Sequence, residues 1–319
     1  MTSGEPDQPS PRVRALMWNL RVDAATGEVL RALRERRIDS LVLKGPAFTD
    51  WYAPDSGRTY VDGDLWVAPA NLAATEAVLA ELGFTPTQDE RGMPGWWQEH
   101  GSSWLRERDD TKIDLHRRLQ GTALEPQQAW EILWPQRTRF IVGGERAYRL
   151  PEAGRALYAT LHATHHGRDD PRGLPHLAAA LGAVDDATWM RALGLAEQLD
   201  ALAAFATGLR LLPDGAALAE RIGLPDATSV RASLLASSAP PIALGFDQLT
   251  SARGLHRLEI LLRKLVPPPG FVRHWWPPAA RNPLMLIVGY VYRPIWLLQR
   301  APAGYRAWRA ARREASSSS

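Results

Sequence analysis

Cysteine is absent from the 319 residues, which excludes disulfides, thiolate metal sites and a cysteine nucleophile. Excess charge of either sign is also scarce: Lys and Arg number 38, Asp and Glu 35, and the formal net charge is +3. The high pI reflects arginine-rich composition more than a concentrated basic face, which argues against nucleic acid as the main partner. Long apolar runs are missing. The longest, residues 284–292, is stopped by Arg293-Pro294 and is too short to span a bilayer. Residues 1–12 are polar and proline-bearing, without the apolar core of a signal peptide, so a cytoplasmic protein is expected. Lysine is the last scarcity. Only Lys44, Lys112 and Lys264 stand among the 38 basic residues.

What remains is globular: 45% hydrophobic and 23% charged residues, enough chain for one large domain or two ordinary ones. Residues 1–12 read as a disordered tail. Residues 13–38 read as a helix with a break near Gly27. Ser40-Leu41-Val42-Leu43 is a short apolar strand running into the turn Lys44-Gly45-Pro46. Residues 60–67 form a strand, and a helix capped by Gly83 follows. Residues 102–108 and 111–115 form a hairpin turned by Asp109-Asp110, and a second hairpin folds around Gly143-Gly144. From Pro151 the pattern is helical, rich in alanine and leucine. The fold class is therefore α+β: a mixed sheet with flanking helices over 13–150, a helical domain over 151–266, then a proline-rich connector, a helical segment and a basic, serine-ended tail over 267–319.

Three aspartates draw attention. Asp62 and Asp64 lie in Tyr60-Val61-Asp62-Gly63-Asp64-Leu65-Trp66-Val67, and Asp114 lies in Lys112-Ile113-Asp114-Leu115-His116. Carboxylates are costly in apolar strands. Residues i and i+2 of a strand share a face, so Asp62 and Asp64 project together as a two-pronged ligand for a hard cation. A third carboxylate from a neighbouring strand would complete a magnesium and phosphate site. The plain alternatives are a solvated strand end for the pair and a structural salt bridge for Asp114.

The ordered set Leu43-Lys44-Gly45, Tyr52, Arg58, Asp62-x-Asp64-Leu65-x-Val67 and Ile113-Asp114-Leu115-His116, followed by Leu161-His162-Ala163-Thr164-His165-His166, resembles the uncharacterised bacterial nucleotidyltransferases of the polymerase-β-like superfamily. The resemblance runs from about residue 38 to about residue 170. It implies a polymerase-β-like catalytic domain that moves a nucleoside monophosphate from ATP or another nucleoside triphosphate to an acceptor hydroxyl, releasing pyrophosphate. Asp62 and Asp64 would hold Mg2+, with Asp114 as third ligand or as the base that takes the hydroxyl proton. Lys44, Gly45, Arg58, His116, His162 and His166 would face the nucleotide. The acceptor would be a small molecule or a natural-product peptide. Phosphoryl transfer on the same metal site, and a decayed nucleotide-binding protein, are the other readings. Two departures favour decay: Pro46 has no N–H to offer a phosphate, and Gly63 loosens the strand between the aspartates.

His162, His165 and His166 share one helical face, as a zinc site would need, with Asp169 and Asp170 as the nearest candidates to complete it. A helix packed on its neighbours is the favoured account. Trp96-Trp97 and Trp275-Trp276 lie in loop-like stretches and are anchors or acceptor-pocket residues. Residues 284–298, with basic residues behind them, read as a buried final helix, with contact to a membrane surface as the alternative.

Overall fold

The computed structural model describes residues 10–53, 56–88, 93 and 101–317; Trp96-Trp97 and the first nine residues lie outside them. The chain divides into two compact units.

The first unit comprises Met1–Gln88, Gly101–Leu119 and Leu124–Arg155. It opens with helix α1 (Pro11–Glu35), which starts inside the expected tail because Ser10 caps it and Pro11 takes the first helical position. The chain continues through β1 (Ser40–Val42), a 3-10 helix (Gly45–Trp51), β2 (Asp62–Val67), α2 (Leu72–Glu81), β3 (Thr85–Pro86), β4 (Gly101–Arg106), β5 (Thr111–His116), α3 (Pro126–Leu133), β6 (Thr138–Val142) and β7 (Glu145–Arg149). The seven strands form one mixed sheet in the order β3-β4-β5-β2-β1-β7-β6. β2 lies at its centre, parallel to β5 and antiparallel to β1.

The sheet's two faces are built differently. On one, Leu65, Val67, Ile113 and Leu115 are buried on the α1 side. Val22, Ala25, Thr26, Val29, Leu30 and Leu33 of α1 are buried at helical spacing. Gly27 does not break α1. A Cβ there would come within 2.9 Å of the Val142 carbonyl, so glycine admits the β6–β7 turn. Gly63 has the same kind of cause: its Cβ would stand 2.3 Å from Thr26 Oγ1. Gly63 lets α1 lie close on β2 rather than loosening the strand. The buried Arg106 ties this layer together, reaching Glu28 of α1 at 2.7 Å and Asp109 at 2.7 Å. On the other face, Trp66 is fully buried edge-on against Trp130 of α3. Trp130 stacks in turn on Trp134.

The second unit is helical: α4 (Glu152–His166), which begins in the first unit, then α5 (Leu174–Ala183), α6 (Asp186–Gln198), α7 (Leu202–Leu209), α8 (Pro213–Arg221), α9 (Val230–Ala236), α10 (Ile242–Ser251), α11 (Gly254–Leu265), α12 (Pro269–Trp275) and α13 (Pro283–Ser317). The helix that carries the apolar run 284–292 continues past Arg293-Pro294. The helix passes through Pro294 and Pro302 for 35 residues, because Gly289 and Arg293 pack on α12 and Gly304, Trp308 and Ala311 pack on α9 and α10. It is not buried over its first half: Leu284, Val291 and Leu298 are 71%, 64% and 73% exposed. No described helix is long and apolar enough to cross a membrane.

Candidate active site

Parallel pairing of β2 with β5 sets Asp62 beside Lys112, Asp64 beside Asp114 and Trp66 beside His116. Strand alternation then puts all six side chains on the face opposite α1. The three aspartates that the sequence separates by fifty residues thus share one patch of sheet. Ser103 of β4 pairs with Asp114 from the other side and donates its hydroxyl to Asp114 Oδ1 at 2.6 Å.

Asp64 is 1% exposed. Its Oδ1 accepts from Lys44 Nζ at 2.7 Å, and His116 Nε2 lies 2.8 Å from the same oxygen. Burial alone would push the Asp64 carboxyl up, but the Lys44 ammonium and His116 hold it down at about 2. Asp62, two residues earlier, goes the other way. Burial, then repulsion from Asp64 and Asp114, pushes it up to about 8 against the pull of Lys44 and Lys112.

Lys44 reaches Asp64 because β1 ends beside it. The Leu43 N–H donates to the Asp64 carbonyl at 3.0 Å, and Gly45 then turns the chain with φ +58°. A Cβ at Gly45 would press on the Tyr60 ring at 3.2 Å. At this turn Pro46 has no backbone N–H, as expected, and the Ala47 N–H is taken by the turn itself, closing on the Lys44 carbonyl at 3.2 Å. The turn is held firmly from behind. Arg155 donates to the Ala47 carbonyl at 2.8 Å and to both Asp50 oxygens at 2.5 and 3.1 Å, and Arg149 donates to the same two groups. Burial raises the Asp50 carboxyl, yet the two guanidiniums bring it below its usual value.

Arg58 stacks on Tyr52, its guanidinium carbon 3.9 Å from the ring centroid, and burial lowers its proton affinity. The segment entering β2 is fixed by α1: Asn19 donates to the Arg58 carbonyl, Trp18 to the Tyr60 carbonyl, and the Tyr60 hydroxyl to Asp23 at 2.6 Å. His162 and His166 belong to the second unit, on α4. Their rings lie 4.4 Å apart, His176 lies 5.5 Å from His162, and His166 Nδ1 is 3.0 Å from Asp170. Ser103 and the Asp50 clamp were not picked out by sequence reasoning. Ser103 could have been found by counting back from the Asp109-Asp110 turn, which sets it opposite Asp114. The clamp spans about a hundred residues and leaves no local signal.

Asp62, Asp64 and Asp114 are hard oxygen donors that project from one face of the sheet, and Asp64 and Asp114 repel the charge of Asp62. Asp64 Oδ1 is meanwhile shared by Lys44 and His116. Among the described residues no group of three or more His, Cys, Asp or Glu is gathered closely enough to hold a metal ion as the side chains stand, neither the three aspartates nor the histidines of α4.

No curated protein is significantly similar to the chain. Two solved structures are similar at low identity. The antibiotic-resistance factor ANT(2'')-Ia is 13% identical, with 59% of this chain and 96% of that one covered at a TM-score of 0.40. An antigenic nucleotidyltransferase-like protein from Paracoccidioides brasiliensis is 14% identical, with 63% and 92% covered at 0.41. The family described as "Uncharacterised nucleotidyltransferase" matches residues 12–214, which include all the candidate residues. On that match, over more than half its length, the chain belongs to the uncharacterised nucleotidyltransferase family.

Proposed function

We propose that the chain transfers a nucleoside monophosphate from a nucleoside triphosphate to an acceptor hydroxyl, with magnesium held by Asp62, Asp64 and Asp114. The observation that carries this reading is the β2–β5 register, which sets Asp64 beside Asp114 on the face that also holds Asp62. Bound magnesium would neutralise the triphosphate and the charge that develops on its leaving group. Lys44, 2.7 Å from Asp64 Oδ1, would share the task by exchanging Asp64 for phosphate. Asp114, its Oδ1 oriented by Ser103, takes the proton of the attacking hydroxyl. The acceptor oxygen bonds to the α-phosphorus as the bond to pyrophosphate breaks. A small molecule or a natural-product peptide is the acceptor class that the family resemblance suggests.

The Lys44–Asp64 ion pair also favours a second reading, a nucleotide-binding protein whose metal site is closed by its own lysine. Calorimetry with ATP and GTP, with and without magnesium, separates the two. The transferase reading expects triphosphate binding that requires magnesium and is lost in Asp62→Asn and Asp64→Asn, whose folds stay intact. Binding that is indifferent to magnesium and to both variants would sink it. Product mass then distinguishes a transferred nucleotide from a transferred phosphate.

A further inference from the structure

Between residues 253 and 314 the chain carries twelve basic and two acidic residues, a net charge of +10. The whole chain carries only +3, so everything before this segment is net acidic. Of the two acids, Glu259 is paired with Arg263 at 2.6 Å. This basic segment is also where the large exposed apolar side chains gather.

Helix α13 separates the two properties along its length. Leu284, Ile287, Val288, Val291, Ile295 and Leu298 are all more than two-fifths exposed. At about 100° per residue they fall on one arc about 100° wide. The opposite arc is the buried one, with Gly289, Arg293, Gly304, Trp308 and Ala311. Because that buried arc keeps its phase through both prolines, Arg306, Arg309 and Arg313 continue the exposed arc beyond Leu298, and all three are exposed. One side of one helix is thus apolar for its first half and cationic for its second. Helix α11 adds a second exposed apolar face, with Leu255 86% and Leu262 53% exposed among Arg257, Arg263 and Lys264.

We propose that this C-terminal segment seats the protein on an anionic lipid bilayer, with the apolar half of the α13 arc in the headgroup–acyl boundary and its arginine half on lipid phosphates. Burying apolar side chains at an interface while several arginines meet anionic headgroups is the combination that holds a helix in the plane of a membrane. Charge disfavours a second copy as the occupant. A parallel copy would set arginine on arginine, and an antiparallel one would set arginine on leucine. With no described helix able to cross, the attachment is peripheral.

The test is flotation of the full chain with vesicles of phosphatidylcholine alone and of phosphatidylcholine mixed with phosphatidylglycerol, at low and high salt. Binding should be at least about tenfold tighter on the anionic vesicles and should weaken with salt. Ile287→Glu with Val291→Glu, and separately Arg306→Gln with Arg309→Gln and Arg313→Gln, should each reduce it by about tenfold or more. Melting curves should be unchanged, since all five positions are exposed. Equal binding to neutral vesicles, no binding to either, or binding that survives the Glu pair would overturn the proposal. So would concentration-dependent dimerisation abolished by the Glu pair without vesicle binding, which would assign the face to a second copy.

Discussion

Replacing Lys44 by methionine removes the ammonium from a carboxylate that is 1% exposed. Losing one partner of a buried ion pair costs about 3–5 kcal/mol, and the low end applies because His116 keeps its contact with the same oxygen. The Asp64 carboxyl provides a second measure. Its fall from the usual 3.8 to about 2 corresponds to about 2 kcal/mol of stability from all its partners together. That contribution is present above the unfolded value and disappears as pH falls through the folded one. Lys44→Met should therefore destabilise β2 and β5 by about 2–3 kcal/mol near neutral pH and by progressively less as pH falls through the folded value of about 2, below which Asp64 is neutral with or without the lysine. The double variant with Asp64→Asn should cost about 2 kcal/mol less than the sum of the single ones. Native-state hydrogen exchange on peptides covering 62–67 and 111–116 measures these changes where they occur, independently of the helical unit. A coupling below about 0.5 kcal/mol would refute the ion pair as the source of the Asp64 shift, as would a Lys44→Met penalty that does not depend on pH.

Gly63→Ala puts a methyl 2.3 Å from Thr26 Oγ1 and should cost about 1–3 kcal/mol in a melting experiment; Thr26→Ala in the same chain should recover part of it. Asp62→Asn should do the opposite. A carboxyl raised to about 8 in the fold destabilises it progressively as pH climbs from the usual 3.8, so the variant should melt above the parent near pH 8 and level with it near pH 4. Asp114→Asn should lower kcat more than it raises KM for the triphosphate, because Asp114 acts on the acceptor; equal effects on both would assign it to triphosphate binding instead.

The central strands were legible because their composition is so uneven: alternation of carboxylates with Val61, Gly63, Leu65 and Val67 gives a period of two, and Asp64 must then share the face of Asp62. The hairpins were legible from their Asp-Asp and Gly-Gly turns, and the observed bounds differ from expectation by one or two residues. What stayed hidden is what depends on distant chain. Gly27 looks like a helix break and Gly63 like a loose strand, yet each is the place where another backbone or side chain comes within 3 Å of where a Cβ would sit. The last helix shows the converse. An apolar run in α13 suggests burial, but among the described residues only the arc carrying Gly289 and Arg293 finds a partner helix. Hydrophobicity sets the wish to be buried and says nothing about which face is covered.

Asp62 and Asp64 make the same point within three residues. They are chemically identical, share a strand face and sit in the same apolar run, and still one is held at about 2 while the other is raised to about 8. The difference lies in who stands beside each. Lys44 arrives at Asp64 from the end of β1, because the Leu43 N–H closes on the Asp64 carbonyl and Gly45 then turns the chain away. His116 arrives from β5, at the register that pairs it with Trp66. Asp62 is raised first by burial and then by the repulsion of Asp64 and Asp114, with weaker compensation from Lys44 and Lys112. A cation bound between them would act mainly on Asp62, the carboxylate whose ionised form the protein alone does not stabilise, and would find Asp64 already charged. Raising the magnesium concentration should therefore stabilise the parent chain more than Asp62→Asn, most strongly near and above the raised value of Asp62 and less as pH falls below it, where a proton competes for the carboxylate.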